Sequence, residues 1–313
     1  MNSKNVIPLN NKIDVKQSLF SGQSFLWDMV SIDAEYYLSI IKDNPIIIRQ
    51  ISDNSIEIQS DSIMIDKTLI SEFIRSYFSI EIDVNLAFSH DFKKLYPELY
   101  AIIKSFFSIK ILRQDPYETL ISFMCAQGIG MHLIRKQIGM LKKNYGKKIS
   151  ITLSGKEIIL HTFPTPERLA AVDPLVLSTC TNNNRIRAKN IVLAAQGVAD
   201  GKIDLQALCD PAIPLAELRN TLCLNQGIGY KIADCIALFG LGRFDAFPID
   251  THVRQYLGKW FNSRTALRSL TPANYLMLDA EARTFLNPEL AGYAGHILFH
   301  CWRKEVKTLH SFE

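Results

Sequence analysis

Lys231 and Asp250 are the two residues of this 313-residue chain whose setting most asks for chemistry. Lys231 ends the run Asn225-Gln-Gly-Ile-Gly-Tyr-Lys231, a Gly-Ile-Gly turn between two apolar segments of helical spacing. Asp250 follows nineteen residues later, in Phe247-Pro-Ile-Asp-Thr-His252. Glycine permits positive φ and close backbone approach, so Gly227 and Gly229 let the amides at the next helix's N-terminus point at a phosphate under a favourable dipole. A cation in the first turn of that helix stands at the wrong end of the dipole. The placement predicts use as a nucleophile, against the plain alternative of a surface lysine. Asp250 precedes a periodic apolar stretch and is a natural helix N-cap, and as a carboxylate it also suits a site where positive charge develops. His252, at the same helix start, is placed to donate to a phosphate.

An amine can do what a hydroxyl nucleophile cannot: it condenses with an opened sugar to a Schiff base, which permits β-elimination of a phosphate. These residues therefore need a phosphate-gripping hairpin, a pocket, and a rigid frame to join them.

The frame reads as two parts. Tyr37-Leu-Ser-Ile-Ile41, Pro45-Ile-Ile-Ile-Arg49 and Ser55-Ile-Glu-Ile-Gln59 are β-branched runs separated by Lys42-Asp-Asn and Ser52-Asp-Asn turns, which predicts an antiparallel meander within residues 18–60. From residue 67 the pattern is helical: 67–78, 95–107, 116–126, 131–144, 187–199, 214–223, 230–240, 251–261, 272–286 and 289–304. Pro116, Pro166, Pro214 and Pro272 fit helix starts. The expected class is α+β, with an N-terminal antiparallel sheet domain and its following helices over 1–110 and a helical body over 111–313.

The bulk numbers agree with a folded chain: 48% hydrophobic and 21% charged residues, net charge +4. Charge is uneven. Residues 1–75 hold 7 basic and 10 acidic groups, and the remainder 28 and 21, a balance that by itself fits an ordinary solvated surface and, if the chain meets nucleic acid, puts that face on the later part. No apolar run approaches the roughly 20 residues of a membrane span, and the start lacks a signal-peptide core, so an intracellular protein is expected, in cytoplasm, nucleoid or nucleus. Six scattered cysteines without a Cys-x-x-Cys pair read as reduced, buried thiols, and with only Cys301 after Asp250 no iron-sulfur cluster is expected there.

These residues resemble the helix-hairpin-helix glycosylases of base-excision repair, and within them the 8-oxoguanine DNA glycosylases. Ser21-Gly-Gln-Ser-Phe-Leu-Trp27, Leu112-Arg-Gln-Asp-Pro116, Arg187-Ala-Lys189 and Ala291-Gly-Tyr-Ala294 with Leu298-Phe299 carry the resemblance, in the family's order from residue 19 to about 303. It implies a bifunctional glycosylase and abasic-site lyase acting on 8-oxoguanine in double-stranded DNA, with Lys231 as Schiff-base nucleophile and Asp250 as its partner. A monomer requiring no cofactor is expected. The resemblance implies that the Gly22 carbonyl accepts from the N7 hydrogen particular to the damaged base, and that Cys235 and Phe299 sandwich the base beside Pro248. It also implies that the carbonyls of Cys223, Asn225 and Ile228 hold a sodium or potassium ion. Departures are visible. Gln127 stands in the asparagine run as candidate plug, Ile186 replaces an aromatic wedge, and Gly295 replaces a reading glutamine, with His296 as a possible substitute. Of three expected cytosine contacts only Arg187 is matched, Leu133 and Gly128 standing at the others. The alternatives are a glycosylase for another damaged or alkylated base, normally without a lysine at 231, and a non-catalytic module that binds damaged DNA.

Overall fold

The computed structural model describes residues 3–305 and shows an α+β protein, an N-terminal antiparallel sheet followed by helices. Strands β1 (Ser3–Pro8), β2 (Asp28–Ser31), β3 (Glu35–Ile41), β4 (Asn44–Ser52) and β5 (Ser55–Ser60) pair in the order β1-β5-β4-β3-β2. The expected meander is β3 to β5, and Lys42 and Asp43, at φ of 48° and 62°, make its first tight turn. β1 was not foreseen. It adds to the β5 edge with Asn5 opposite Ile58, a pairing across more than fifty residues that no local pattern announces.

Successive side chains of a strand face opposite sides, and both faces of this sheet are covered. Tyr37, Ile46, Ile48, Ile56 and Ile58 share one core with Val15 and Leu19 of α1 (Val15–Phe20) and Ile70 and Ile74 of α2 (Ile70–Tyr77). The short strands β6 (Met64–Ile65) and β7 (Thr68–Leu69) use up the start of the segment expected to be helical from 67. On the other face Tyr36, Leu38, Ile40 and Ile47 meet Ile151, Leu153 and Leu160 of a hairpin, β8 (Lys148–Leu153) and β9 (Lys156–His161), which the sequence reading also missed. Its signal was present: two apolar runs around Ser154-Gly155, both at positive φ.

The body is built from α3 (His90–Leu95), α4 (Pro97–Ile103), α5 (Pro116–Cys125), α6 (Met131–Tyr145), α7 (Pro166–Ala170), α8 (Pro174–Leu177), α9 (Arg185–Ala199), α10 (Leu215–Cys223), α11 (Tyr230–Phe239), α12 (Thr251–Trp260), α13 (Pro272–Ala282) and α14 (Ala291–Glu305). Pro116, Pro166 and Pro272 occupy first helical positions, whereas Pro214 is one residue earlier, at the N-cap of α10. The segment 272–286 is helical only to Ala282. One large core runs from Phe25 to Trp302, and residues 84–109 pack in it, although a division at 110/111 would leave them with the sheet.

Two segments that carry the resemblance are bonded to each other. The buried Gln23 side chain donates to the carbonyl of Lys110 at 2.8 Å and accepts from the amide of Leu112 at 2.8 Å, while Gln114 donates back to the Gln23 carbonyl at 2.7 Å. Arg135 donates to the carbonyls of Ser24 and Trp27 at 3.2 and 3.1 Å and lies over the Phe20 and Phe25 rings. Neighbouring Gly22 is thereby fixed against the helical body.

Candidate active site

The hairpin joins α10 to α11. Gly227 has φ of +86°, and a Cβ there would lie 2.5 Å from the Asn190 side chain, so both conformation and space require glycine. Gly229 differs from the expectation. It is the N-cap of α11 in an extended conformation, φ −101° and ψ 177°, and nothing within 4 Å would meet a Cβ. Its role is an open surface in front of the α11 amides, not a positive φ.

Lys231, half-buried in the first turn of α11, has its Nζ 5.1 Å from the centre of the Phe123 ring. A cation over an aromatic face is held in place without a counter-charge. Phe123 lines this site although the sequence did not mark it, since it lies in a buried stretch of α5 among Leu120, Ile121 and Met124. Asp250 caps α12, its Oδ1 accepting from the Val253 amide at 2.9 Å.

Two cavities meet at this pair. One, of 60 Å³, is lined by Gly22, Phe123, Cys235, Pro248, Gly295, His296 and Phe299 among others. The other is an open groove of 820 Å³ bordered by residues 126–130, 229–232, 249–252 and 270–272 with Tyr275. Lys231 and Asp250 are the residues that line both. The amine and the carboxylate thus stand where a strand lying in the groove would send a group into the pocket.

The pocket's chemistry is that of a nearly apolar slot. Burial pushes the Cys235 thiol up to about 12, with the positive charge of Lys231 pulling partly back, so the sulfur is a neutral wall. Burial, with smaller contributions from the charges of His300 and Arg303, pulls His296 down to about 3, leaving a neutral imidazole whose Nε2 is 2.8 Å from the Ser21 hydroxyl. Phe299 stacks on His296 with centroids 6.0 Å apart, and His252, exposed in the groove, meets its edge at 5.8 Å. Gly22 has φ of +102°, and a Cβ there would come within 3.0 Å of Met131 Sδ. Gly295 is empty for a different reason. A Cβ at that position would lie 2.2 Å from the Phe247 ring, which fills the space from the other side.

The groove-side candidates are tied to one another. Gln127 donates through its carboxamide to the Gly227 carbonyl at 2.6 Å. Arg187, expected to reach toward DNA, is buried to 8% exposure and donates to the Gln127 carbonyl; as the chain stands it is a brace under the 126–130 turn. Ile186 is 74% exposed at the start of α9. Cys223 ends α10, and Asn225 and Ile228 lie in the hairpin turn that follows, where the Asn225 carbonyl accepts from the Ile228 amide at 3.1 Å. Neutral carbonyls at the negative end of α10 suit a monovalent cation. Among the described residues no cluster of His, Cys, Asp and Glu could hold a metal, and no helix is long and apolar enough to cross a membrane.

Residues 6–120 match the family model for the N-terminal domain of 8-oxoguanine DNA glycosylases. The chain is 30% identical over 219 residues to the N-glycosylase/DNA lyase OGG1 of Arabidopsis thaliana, covering 70% of this chain and 59% of that protein. It is 28% identical over 261 residues to the N-glycosylase/DNA lyase of Saccharomyces cerevisiae, covering 75% and 65%. The matches thus span less than two thirds of either curated relative. Among solved structures, MBOgg1 in complex with a low-affinity DNA ligand superposes with a TM-score of 0.78 at 28% identity, over 98% of this chain and 97% of that one. The apo 8-oxoguanine glycosylase/lyase of Clostridium acetobutylicum shares the fold, with a TM-score of 0.76 at 24% identity over 96% of each chain.

Proposed function

We infer the activity of this chain from its family, for it belongs to the 8-oxoguanine DNA glycosylases of the helix-hairpin-helix superfamily. It binds double-stranded DNA in the groove, flips 8-oxoguanine into the pocket, excises it and nicks the strand. The observation that carries this reading is that Lys231 and Asp250 line both cavities.

In this reading Lys231 gives up a proton and its amine attacks the sugar C1′ as the C1′–N9 bond breaks, and the base leaves with the bonding pair and takes up a proton. Positive charge grows on the sugar, and the Asp250 carboxylate stabilises it. The C1′–O4′ bond then breaks as the nitrogen pair forms the C1′=Nζ Schiff base, O4′ taking up the proton that the nitrogen sheds; loss of a C2′ proton then forms the C2′=C3′ bond and expels the 3′ phosphate with its bonding pair. The Gly22 carbonyl accepts from the N7 hydrogen of the damaged base, Cys235 and Phe299 flank its faces, Pro248 borders it, and His296 offers a neutral ring at its edge. Gly227, Gly229 and His252 present donors to the phosphates, and Gln127 fills the gap left in the stack. The carbonyls of Cys223, Asn225 and Ile228 would hold a monovalent cation, which supplies positive charge toward a phosphate when bound.

Ligand pockets usually run to roughly 300–1,000 Å³, so a slot of 60 Å³ must widen to admit a purine. The test is strand nicking and borohydride trapping on duplexes with 8-oxoguanine opposite each of the four bases. A substrate that keeps the 8-oxo oxygen but lacks the N7 hydrogen should bind poorly. Nicking of none of the damaged duplexes, or equal binding of the two bases, overturns the activity or the recognition respectively.

A further inference from the structure

The helix that carries Lys231 and the segment that carries Asp250 are joined through one hydroxyl. Asp234, one turn after Lys231 on α11, is fully buried and accepts from Arg219 Nε at 2.6 Å and Nη2 at 3.0 Å. Its Oδ2 also accepts from the Tyr275 hydroxyl at 2.6 Å. That same hydroxyl accepts from the Ile249 amide at 3.1 Å, immediately before Asp250. The Tyr275 ring stacks on Tyr230, immediately before Lys231, with centroids 5.6 Å apart and planes at 28°. Tyr275 itself comes from α13 and is 3% exposed. One side chain therefore grips α11 on both sides of Lys231 and holds the backbone just before Asp250.

The rest of the network anchors the bridge. Arg219 Nη1 donates to Asp279 at 3.0 Å, Asp279 accepts from Arg283 at 2.9 Å, and Arg283 donates to the Asp245 carbonyl at 2.6 Å. This closes a ring that begins and ends on the strands of chain flanking the site. Bidentate, charge-assisted bonds of this kind fix geometry as well as adding energy.

We propose that Tyr275, with Asp234 as its acceptor, is a positioning residue that sets the separation of Lys231 and Asp250. The inference rests on the reading of Lys231 as nucleophile and Asp250 as the group that stabilises the cationic transition state. Without the hydroxyl, the Ile249 amide loses its acceptor and the Asp250 segment is released from α11, while Lys231 stays on its own helix. Base excision, which needs both groups in register, should then suffer more than Schiff-base formation at a pre-formed abasic site, where the sugar is already an aldehyde and the amine acts alone. A small misplacement at a reacting centre is enough to cost a large factor in rate.

The experiment compares wild type with Tyr275→Phe, which keeps the ring and its stack on Tyr230. Three quantities are read: single-turnover excision of 8-oxoguanine, borohydride trapping on pre-formed abasic duplex, and affinity for a duplex with a non-reactive abasic analogue. Excision should fall about tenfold or more while trapping and affinity change by less than about threefold, a tenfold change being about 1.4 kcal/mol of barrier. Asp234→Asn serves as the second variant. It keeps an oxygen to accept from Tyr275 but removes one of the two carboxylates that pair with Arg219, so it should lower the melting temperature more than Tyr275→Phe does while excision relative to trapping stays near wild type. Excision that follows melting temperature across the two variants overturns the proposal, as does a Tyr275→Phe protein in which excision and trapping fall by one factor or neither falls. A wild type that neither excises nor traps removes the proposed activity and the bridge together.

Discussion

Gln127 and Gly227 are a hundred residues apart in the chain and joined by a hydrogen bond of 2.6 Å, so the candidate plug is tied to the phosphate hairpin before any DNA is present. For Gln127 to fill a vacated base position that bond must break, which links insertion to seating of the hairpin. Gln127→Ala should weaken productive binding of damaged duplex several-fold, because the vacated base position is then left unfilled. Trapping on single-stranded abasic oligonucleotide, which has no stack to fill, should be unchanged. Equal loss on both substrates would show that Gln127 only supports the hairpin.

Lys231→Gln should abolish the borohydride-trapped adduct, and trapping that survives would move the nucleophile elsewhere. Asp250→Asn separates charge from capping, because an asparagine side chain caps a helix about as well as aspartate. DNA affinity and melting temperature should hold while excision slows by orders of magnitude, each 1.4 kcal/mol of lost stabilisation being about tenfold. Parallel loss of stability would assign Asp250 to the cap at Val253 alone.

Gly295 tests why the pairing edge of the base has no glutamine to read it. With Phe247 fully buried and 2.2 Å from where a Cβ would stand, Gly295→Ala overpacks the core, a change that costs about 1–3 kcal/mol. Thermal unfolding should shift down by several degrees, roughly 2–4 °C per kcal/mol for a chain approaching this size. An unchanged melting curve would mean that the ring moves aside freely, leaving room for a longer residue there.

His296 makes stability depend on pH. Its folded value, about 3, lies below the ordinary 6.5, and burial likewise pulls His300 to about 4. The unfolded chain therefore binds protons first as pH falls. The contribution is fully present above pH 6.5 and is lost progressively as pH drops from there toward the folded values. Burial pushes the Glu118 and Asp234 carboxyls the other way, up to about 8 and about 6, so the histidine contribution is read as a difference: as pH drops from about 6.5 to 5, the melting temperature of wild type should fall relative to that of His296→Gln. An identical slope in the variant would refute the assignment.

Selectivity for the opposite base should be weak. Leu133 and Gly128 offer no donors to a cytosine, and Arg187 is bonded to the Gln127 carbonyl. One good contact is worth roughly 1 to 3 kcal/mol, and with Arg187 engaged elsewhere the low end of that range applies, so excision rates opposite cytosine and the other bases should differ by about tenfold or less. Single-turnover rates on four duplexes decide it. A thousandfold preference would require readout by other residues.

The sequence by itself determined what is local. Helix starts are written in Asp115-Pro116, Thr271-Pro272 and Asp250, the meander in its β-branched runs and positive-φ turn, and the hairpin in Gly227, since each signal acts within a few residues of where it stands. Lys231 stood out because a cation in a helix's first turn is at the unfavourable end of the dipole, and Asp250 because it caps the next helix; tertiary structure sets both on the same two cavities. Tertiary structure decided everything that depends on partners far along the chain. β1 finds its edge and β8 and β9 find the open face of the sheet only by long-range burial. Gly229 proved extended, Arg187 proved buried, and Gly295 proved to be filled by Phe247. Phe123 and Tyr275 entered the site from α5 and α13, where apolar periodicity marks them only as core. Periodicity records which face of an element is buried but not what it is buried against, and the geometry of a site is a matter of the second kind.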